Sequence, residues 1–101
     1  MSLADIQAAA GLKTPIRHQL FIDGKFVDAA SGMTAPTLNP HNNTTIADVA
    51  MAGKEDVDRA VAAAQKAFPK WSRMAAADRG RILLRLADKL EEHTEEFARL
   101  E

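Results

Sequence analysis

The chain has 101 residues, 13 of them Lys or Arg and 14 Asp or Glu, for a formal charge of −1. That balance argues against a general nucleic-acid or polyanion binder, which carries a basic excess. With no Cys, these residues hold no disulfide framework, thiolate zinc site or Cys nucleophile.

Apolar residues make up 47%, yet 20 of the 101 are Ala, so the material for a core is thin. A domain of this size buries only about 60–65% of its unfolded surface. No apolar run approaches the roughly 18–20 residues of a membrane span. The start, MSLADIQAAAGLKTPIR, lacks the basic and continuous apolar parts of a secretory signal. A cytoplasmic protein with no membrane contact is expected.

The two halves differ. Residues 1–53 hold three basic and four acidic groups, three of the four Pro and all of the Asn; residues 54–101 hold ten basic and ten acidic groups. Strands and turns are expected in the first half and helices in the second. Residues 4–10 (ADIQAAA) suit one or two helical turns ending at Gly11, and Pro15 favours an extended segment before it. In QLFIDGKFVD (19–28), Asp23-Gly24 separates two β-prone runs. Asp-Gly is the preferred pair for a type I′ turn, whose two central residues need φ > 0. A hairpin follows from it. A second turn is expected at Ala30-Ser31-Gly32.

Residues 34–39 (TAPTLN) suit a short strand, with Pro36 at an edge or a strand start. Asn39 to Asn43 read as a turn, and 44–51 (TTIADVAM) as the next strand. Helix one is expected from Lys54 to Phe68, with Gly53 as N-cap and Pro69 ending it. Its stripe is Val57, Ala60, Val61, Ala64 and Phe68, extended by Trp71; Glu55, Asp56 and Asp58 complement the dipole in its first turns. Helix two is expected from Ala76 to the chain end, with Ile82, Leu83, Leu86, Ala87, Leu90, Phe97 and Leu100 as its stripe. Glu95 and Arg99 stand in the favourable i,i+4 order. The helical register runs through Glu101 with no Gly, Asn or Pro to close it, so these residues read as the opening of something larger or as dependent on a partner. The isolated segment is expected to be marginal and to expose apolar surface.

Five pieces now stand in order: LFIDGKFVDAASG, TLNP, TTIADVA, EDVDRAVAAAQKAFPKWSRM and DRGRILLRLADKLEEHTEEFARLE. Together, over residues 19–101, they resemble the N-terminal segment of the NAD(P)-dependent aldehyde dehydrogenase superfamily. The resemblance implies an α/β fold: the N-terminal part (β-hairpin, short strands, two α-helices) of a Rossmann-type cofactor domain. Residues 1–18 would be an N-terminal extension, and 19–101 an incomplete portion of that domain. It implies an oxidoreductase that, when complete, oxidises an aldehyde to a carboxylic acid with NAD or NADP, as a homodimer or homotetramer. In that family a Cys thiolate attacks the carbonyl and a Glu activates water. Neither motif is here, nor is the cofactor turn, so no catalytic or cofactor-binding residue is assigned and the segment alone is expected to be inactive.

The resemblance offers one site position. Family members hold a monovalent cation through a main-chain oxygen near the Asn-Pro turn, and Leu38 in Thr37-Leu38-Asn39-Pro40 would supply that carbonyl. An ordinary strand end is the plainer reading of the same residues. The chain departs from the family pattern at Ala75, where a Ser, Thr or Asp cap is common; the loss costs about 1 kcal/mol. Asn42-Asn43 stand where a Gly is common.

The remaining candidates read more simply as structure. His18, His41 and His93 fit no metal spacing. Lys70, Arg73, Arg79, Arg81, Arg85 and Lys89 form a basic run without interleaved aromatics, better suited to a solvated face or to ion pairs than to phosphate. Trp71 follows Phe68 at helical spacing, as a packing residue does, although a ligand-stacking residue would look the same. Glu91, Glu92, Glu95 and Glu96 solvate a helix rather than form an acid–base pair. A stand-alone interaction or oligomerisation module without catalysis is the alternative to the enzyme segment.

Overall fold

A computed structural model describes Ala4, Ala8 and residues 17–100, with Leu100 described by its backbone alone. The helical turns expected over 4–10 and the extended segment at Pro15 lie outside the described residues, apart from Ala4 and Ala8, which are helical and exposed.

The first hairpin pairs β1 (Leu20–Ile22) with β2 (Lys25–Val27) in antiparallel register, Phe21 opposite Phe26. Asp23 (φ +52°) and Gly24 (φ +74°) both take the left-handed conformation that a type I′ turn requires. Strand alternation sends Phe21 and Phe26 to one face, with ring centroids 5.1 Å apart. It sends Leu20, Ile22 and Val27 to the other, half-buried face. The amide of Gln19 donates to Asp28 across the base (2.8 Å). The expected second turn is present: Gly32 (φ +71°) donates its N–H to the Ala29 carbonyl at 2.8 Å.

The second hairpin is a ribbon of β3 (Thr34–Leu38) and β4 (Thr45–Ala50), irregular between Thr37 and Leu38. Pro36 sits mid-strand opposite Asp48, which is tolerable because both strands of a two-stranded ribbon are edges. Asn side chains shape its turn. Asn39 Oδ1 accepts from His41 N–H (2.9 Å), Asn42 Oδ1 accepts from Thr44 N–H (3.1 Å), and Asn43 takes φ +58°. The two ribbons form separate sheets. They meet where Ala50 N–H donates to the His18 carbonyl (2.9 Å).

Three helices follow: α1 (Lys54–Arg73), α2 (Ala76–Glu92) and α3 (Thr94–Leu100). Gly53 is the N-cap of α1, as expected. Pro69 does not end α1, which runs on to Arg73. Proline removes one N–H, the donor to the carbonyl four residues back, but its φ is already helical. The carbonyls beyond it find other donors: Ser72 Oγ reaches Pro69 O (3.3 Å), and Arg79 Nη1 reaches Met74 O (2.5 Å). Helix two is likewise not continuous to the chain end, because His93 (φ −113°, ψ 20°) interrupts it. The Thr94 hydroxyl donates to the Glu91 carbonyl (2.8 Å), a local bond that competes with the helical ladder. So a third, short helix joins the two expected ones, carrying the foreseen Glu95–Arg99 pair at 3.7 Å.

β1 lies against α1, yet among the described residues only Ala29 and Asp56 are buried. Stripe residues stay in the open, among them Phe68 (65% exposed) and Leu83 (58%). The accessible surface is 8042 Å². A compact monomer of this mass exposes about 5600 Å². The elements are well formed, and their apolar faces are largely uncovered.

Candidate functional site

The best-defined polar centre is Asp56, 1% exposed in the first turn of α1. Its Oδ2 accepts the N–H of Gly53 (3.0 Å), the reciprocal half of a capping box. Gly53 has no side chain to supply the other half. Oδ1 accepts the N–H of Ala30 (3.0 Å), 26 residues earlier, and a guanidinium nitrogen of Arg59 (2.5 Å). These donors hold the carboxyl below its ordinary 3.8: the Gly53 N–H most, then the Arg59 side chain, then the Ala30 N–H, against the opposing effect of burial. From the sequence, Asp56 reads only as a dipole-complementing acid. The available signal was an acid at the third helical position after a Gly cap.

Two shallow grooves run along α1. One, of about 370 Å³, lies between the first hairpin and the helix, against Ile22, Val27, Ala62 and Ala63. The other, of about 420 Å³, continues past Ala67 to Trp71 and Met74. Both are lined mainly by apolar surface, with Asp23 and Lys66 on each, Arg59 on the first and Lys70 on the second. Open and mainly apolar, they suit a packed layer of polypeptide rather than an oriented small molecule. Trp71 lines the second groove and is 40% exposed.

Leu38 ends β3 opposite Thr45, at the irregular step of the ribbon and beside the Asn39 turn. His18 lies ahead of β1, His41 in the ribbon turn and His93 at the α2–α3 break, so the three do not meet. Among the described residues no group of three or more His, Asp or Glu could hold a metal ion. The basic run is partly consumed within the fold. Arg79 caps α1, Arg81 pairs with Asp78, and Lys89 pairs with Glu92 at 2.7 Å. That last contact raises Lys89 and lowers Glu92 through their hydrogen bond. Glu96 faces His93 Nδ1 at 3.2 Å.

Comparison with known proteins fixes the ancestry of this arrangement. The model of the aldehyde dehydrogenase family matches residues 26–101, well over half of the chain. The chain belongs to that family. It is 54% identical over 88 residues to the cytosolic 10-formyltetrahydrofolate dehydrogenase of Xenopus tropicalis, covering 85% of this chain and 10% of that protein. It is 50% identical over 103 aligned positions to the mitochondrial benzaldehyde dehydrogenase of Antirrhinum majus, covering 93% of this chain and 19% of the relative. The betaine aldehyde dehydrogenase of Staphylococcus aureus, solved with NAD+, superimposes with a TM-score of 0.83 at 38% identity, over 94% of this chain and 20% of its own. The chain thus spans a tenth to a fifth of the length of these relatives. It corresponds to an N-terminal segment of their α/β fold.

Among the described residues, neither of the two long helix starts suits the pyrophosphate of a dinucleotide. A pyrophosphate takes the free N–H groups of a helix N-terminus. Both helix starts carry carboxylates, Glu55 and Asp56 in the first turn of α1 and Asp78 in that of α2, and these oppose a second anion there. For a hard cation, the Leu38 carbonyl is one oxygen of the right kind and not a complete shell.

Proposed function

We propose that the chain works as the N-terminal portion of an NAD(P)-dependent aldehyde dehydrogenase, which when complete oxidises an aldehyde to a carboxylic acid. Residues 19–101 would open the cofactor domain and residues 1–18 precede it as an extension. The role of this segment is architectural: it supplies hairpins and helices whose apolar faces seat further polypeptide. NAD or NADP, which accepts hydride when bound, would be held by residues outside these 101. So would the attacking thiol, since no Cys is present. The Leu38 carbonyl would contribute one ligand to a monovalent cation. A homodimer or homotetramer in the cytoplasm completes the reading.

What carries this proposal is the correspondence of 94% of the chain, at a TM-score of 0.83, to a dehydrogenase solved with NAD+. The test has two arms. The 101-residue chain, mixed with an aldehyde and NAD+ or NADP+, is expected to form no reduced cofactor. The protein isolated from its source with an antibody to this segment is expected to be several times heavier and to form reduced cofactor. Turnover by the short chain, or a native product of 11.0 kDa, overturns the proposal.

A further inference from the structure

We propose that Asp56 is a positioning residue: a clasp, made wholly within this chain, that fixes the β3–β4 ribbon and its preceding turn against the start of α1. Its two oxygens gather donors from three places. These are Ala30 in the turn before β3, Gly53 in the link after β4, and Arg59 one turn up α1. Ala30 and Gly53 bracket the whole ribbon, so one carboxylate closes both ends of that excursion onto the helix.

A second tie, Ala50 N–H to the His18 carbonyl (2.9 Å), leads to β1 rather than to the start of α1. The ribbons are separate sheets, and the bond from Met51 N–H to the Met33 carbonyl (2.9 Å) joins the ribbon only to itself. The only buried apolar residue among those described, Ala29, precedes Ala30. The clasp and this small packed spot coincide. An ordinary capping acid needs only the N-cap N–H. The bond to Ala30 exceeds that requirement, and it gives the clasp its reach. A carboxylate accepts at both oxygens, whereas an amide presents one acceptor and one donor. Asp56→Asn therefore sets an N–H against an N–H on one side of the clasp.

The test is residue-resolved amide exchange on the 101-residue chain. In the unsubstituted chain the Ala30 and Gly53 amides exchange slowly. Asp56→Ala speeds both by about tenfold or more, as expected for loss of a hydrogen bond, while amides in the middle of α2 keep their rates. If Asp56→Ala also frees α2, Asp56→Asn replaces it, and at least one of the two amides accelerates. Arg59→Gln, at a half-exposed position, leaves both backbone bonds and accelerates neither amide tenfold. Fast exchange at both amides in the unsubstituted chain overturns the proposal, because the clasp is claimed to form without outside help. So does unchanged slow exchange at both amides after Asp56→Ala or Asp56→Asn. The outcome is independent of the dehydrogenase reading, which stands or falls on turnover and native mass.

Discussion

The hairpin region (17–53) and the helical region (54–100) are held in different ways. Every described residue with positive φ lies in the first region: Asp23, Gly24, Gly32 and Asn43. Among the described residues, five Lys or Arg pairs with carboxylates and the His93–Glu96 contact lie in the second, each between side chains three or four residues apart. The hairpins rest on a few backbone positions where the residue type decides the conformation. The helices rest on many small, replaceable contributions; exposed pairs of this kind are worth about 0.3–0.5 kcal/mol each. Both regions make most of their turns and caps from nearby residues and leave apolar faces open. Local rules are thus enough to shape the elements, and covering them is a separate task.

Asp56 is where the two regions join, so acid provides the largest break. Its carboxyl titrates lower in the folded chain than its ordinary 3.8, because the Gly53 N–H, the Arg59 guanidinium and the Ala30 N–H all favour the charged form. A lowered folded value means that the stabilisation is fully present above 3.8 and is lost as pH falls through the folded value. Amide protection at Ala30 and Gly53 should be flat from neutrality down to about pH 5 and collapse only in stronger acid. Loss of both between about pH 6 and 7 would mean that another group controls the joint.

Next in size is Pro69→Ala. Proline inside a helix costs up to about 3 kcal/mol relative to alanine. The substitution restores a donor to the Gln65 carbonyl, so helical ellipticity and thermal stability should both rise. No rise would mean that α1 already ends at Phe68 in solution, as the sequence rule alone implies.

The same exchange, Gly to Ala, should act with opposite sign in the two regions. At Gly24 (φ +74°) any side chain is strained although the space is open, and the hairpin should weaken by about 1–2 kcal/mol. At Gly80, inside α2 with negative φ and nothing within 4 Å of an added Cβ, stability should increase by about 1 kcal/mol. Thermal melts of the two variants read the contrast directly. Equal signs would refute the distinction between the regions.

What could be read from the sequence follows the same division. The Asp23-Gly24 turn, the Asn turn and the Gly53 cap were legible because each obeys a rule that spans only a few residues. The course of α1 past Pro69 was not, since carbonyls at its end, Ser72 and the C-cap Met74, accept from Arg79 of the next helix. The break at His93 turns on whether the Thr94 hydroxyl bonds the backbone or water, which residue type alone does not settle. Asp56 was visible as an acid, but its partner Ala30 is 26 residues away. Phe68 and Trp71 were rightly placed on an apolar stripe, but periodicity does not tell whether any residue at hand covers it. Leu38 could be named only by family likeness, because a carbonyl ligand leaves no mark on side-chain identity.

The smallest expected effect lies at Ala75, which precedes α2 in extended conformation (φ −56°, ψ 139°) and offers no side-chain cap. Its carbonyl already accepts from Asp78 and Arg79 N–H (2.9 and 3.1 Å), so the first helical bonds are made. What is missing is an acceptor for the N–H groups of Ala76 and Ala77, which point out of the helix start. Ala75→Ser supplies that oxygen without adding charge beside Asp78. The gain should be about 0.5–1 kcal/mol, toward the lower part of the usual range because Asp78 already favours this helix end. Amide exchange at Ala77 should slow, and exchange in the hairpins should not change. If the hairpin amides slowed as well, the start of α2 would be coupled to the hairpins beyond the Asp56 joint and the β1–α1 contact, and the contrast between the regions would have to be redrawn.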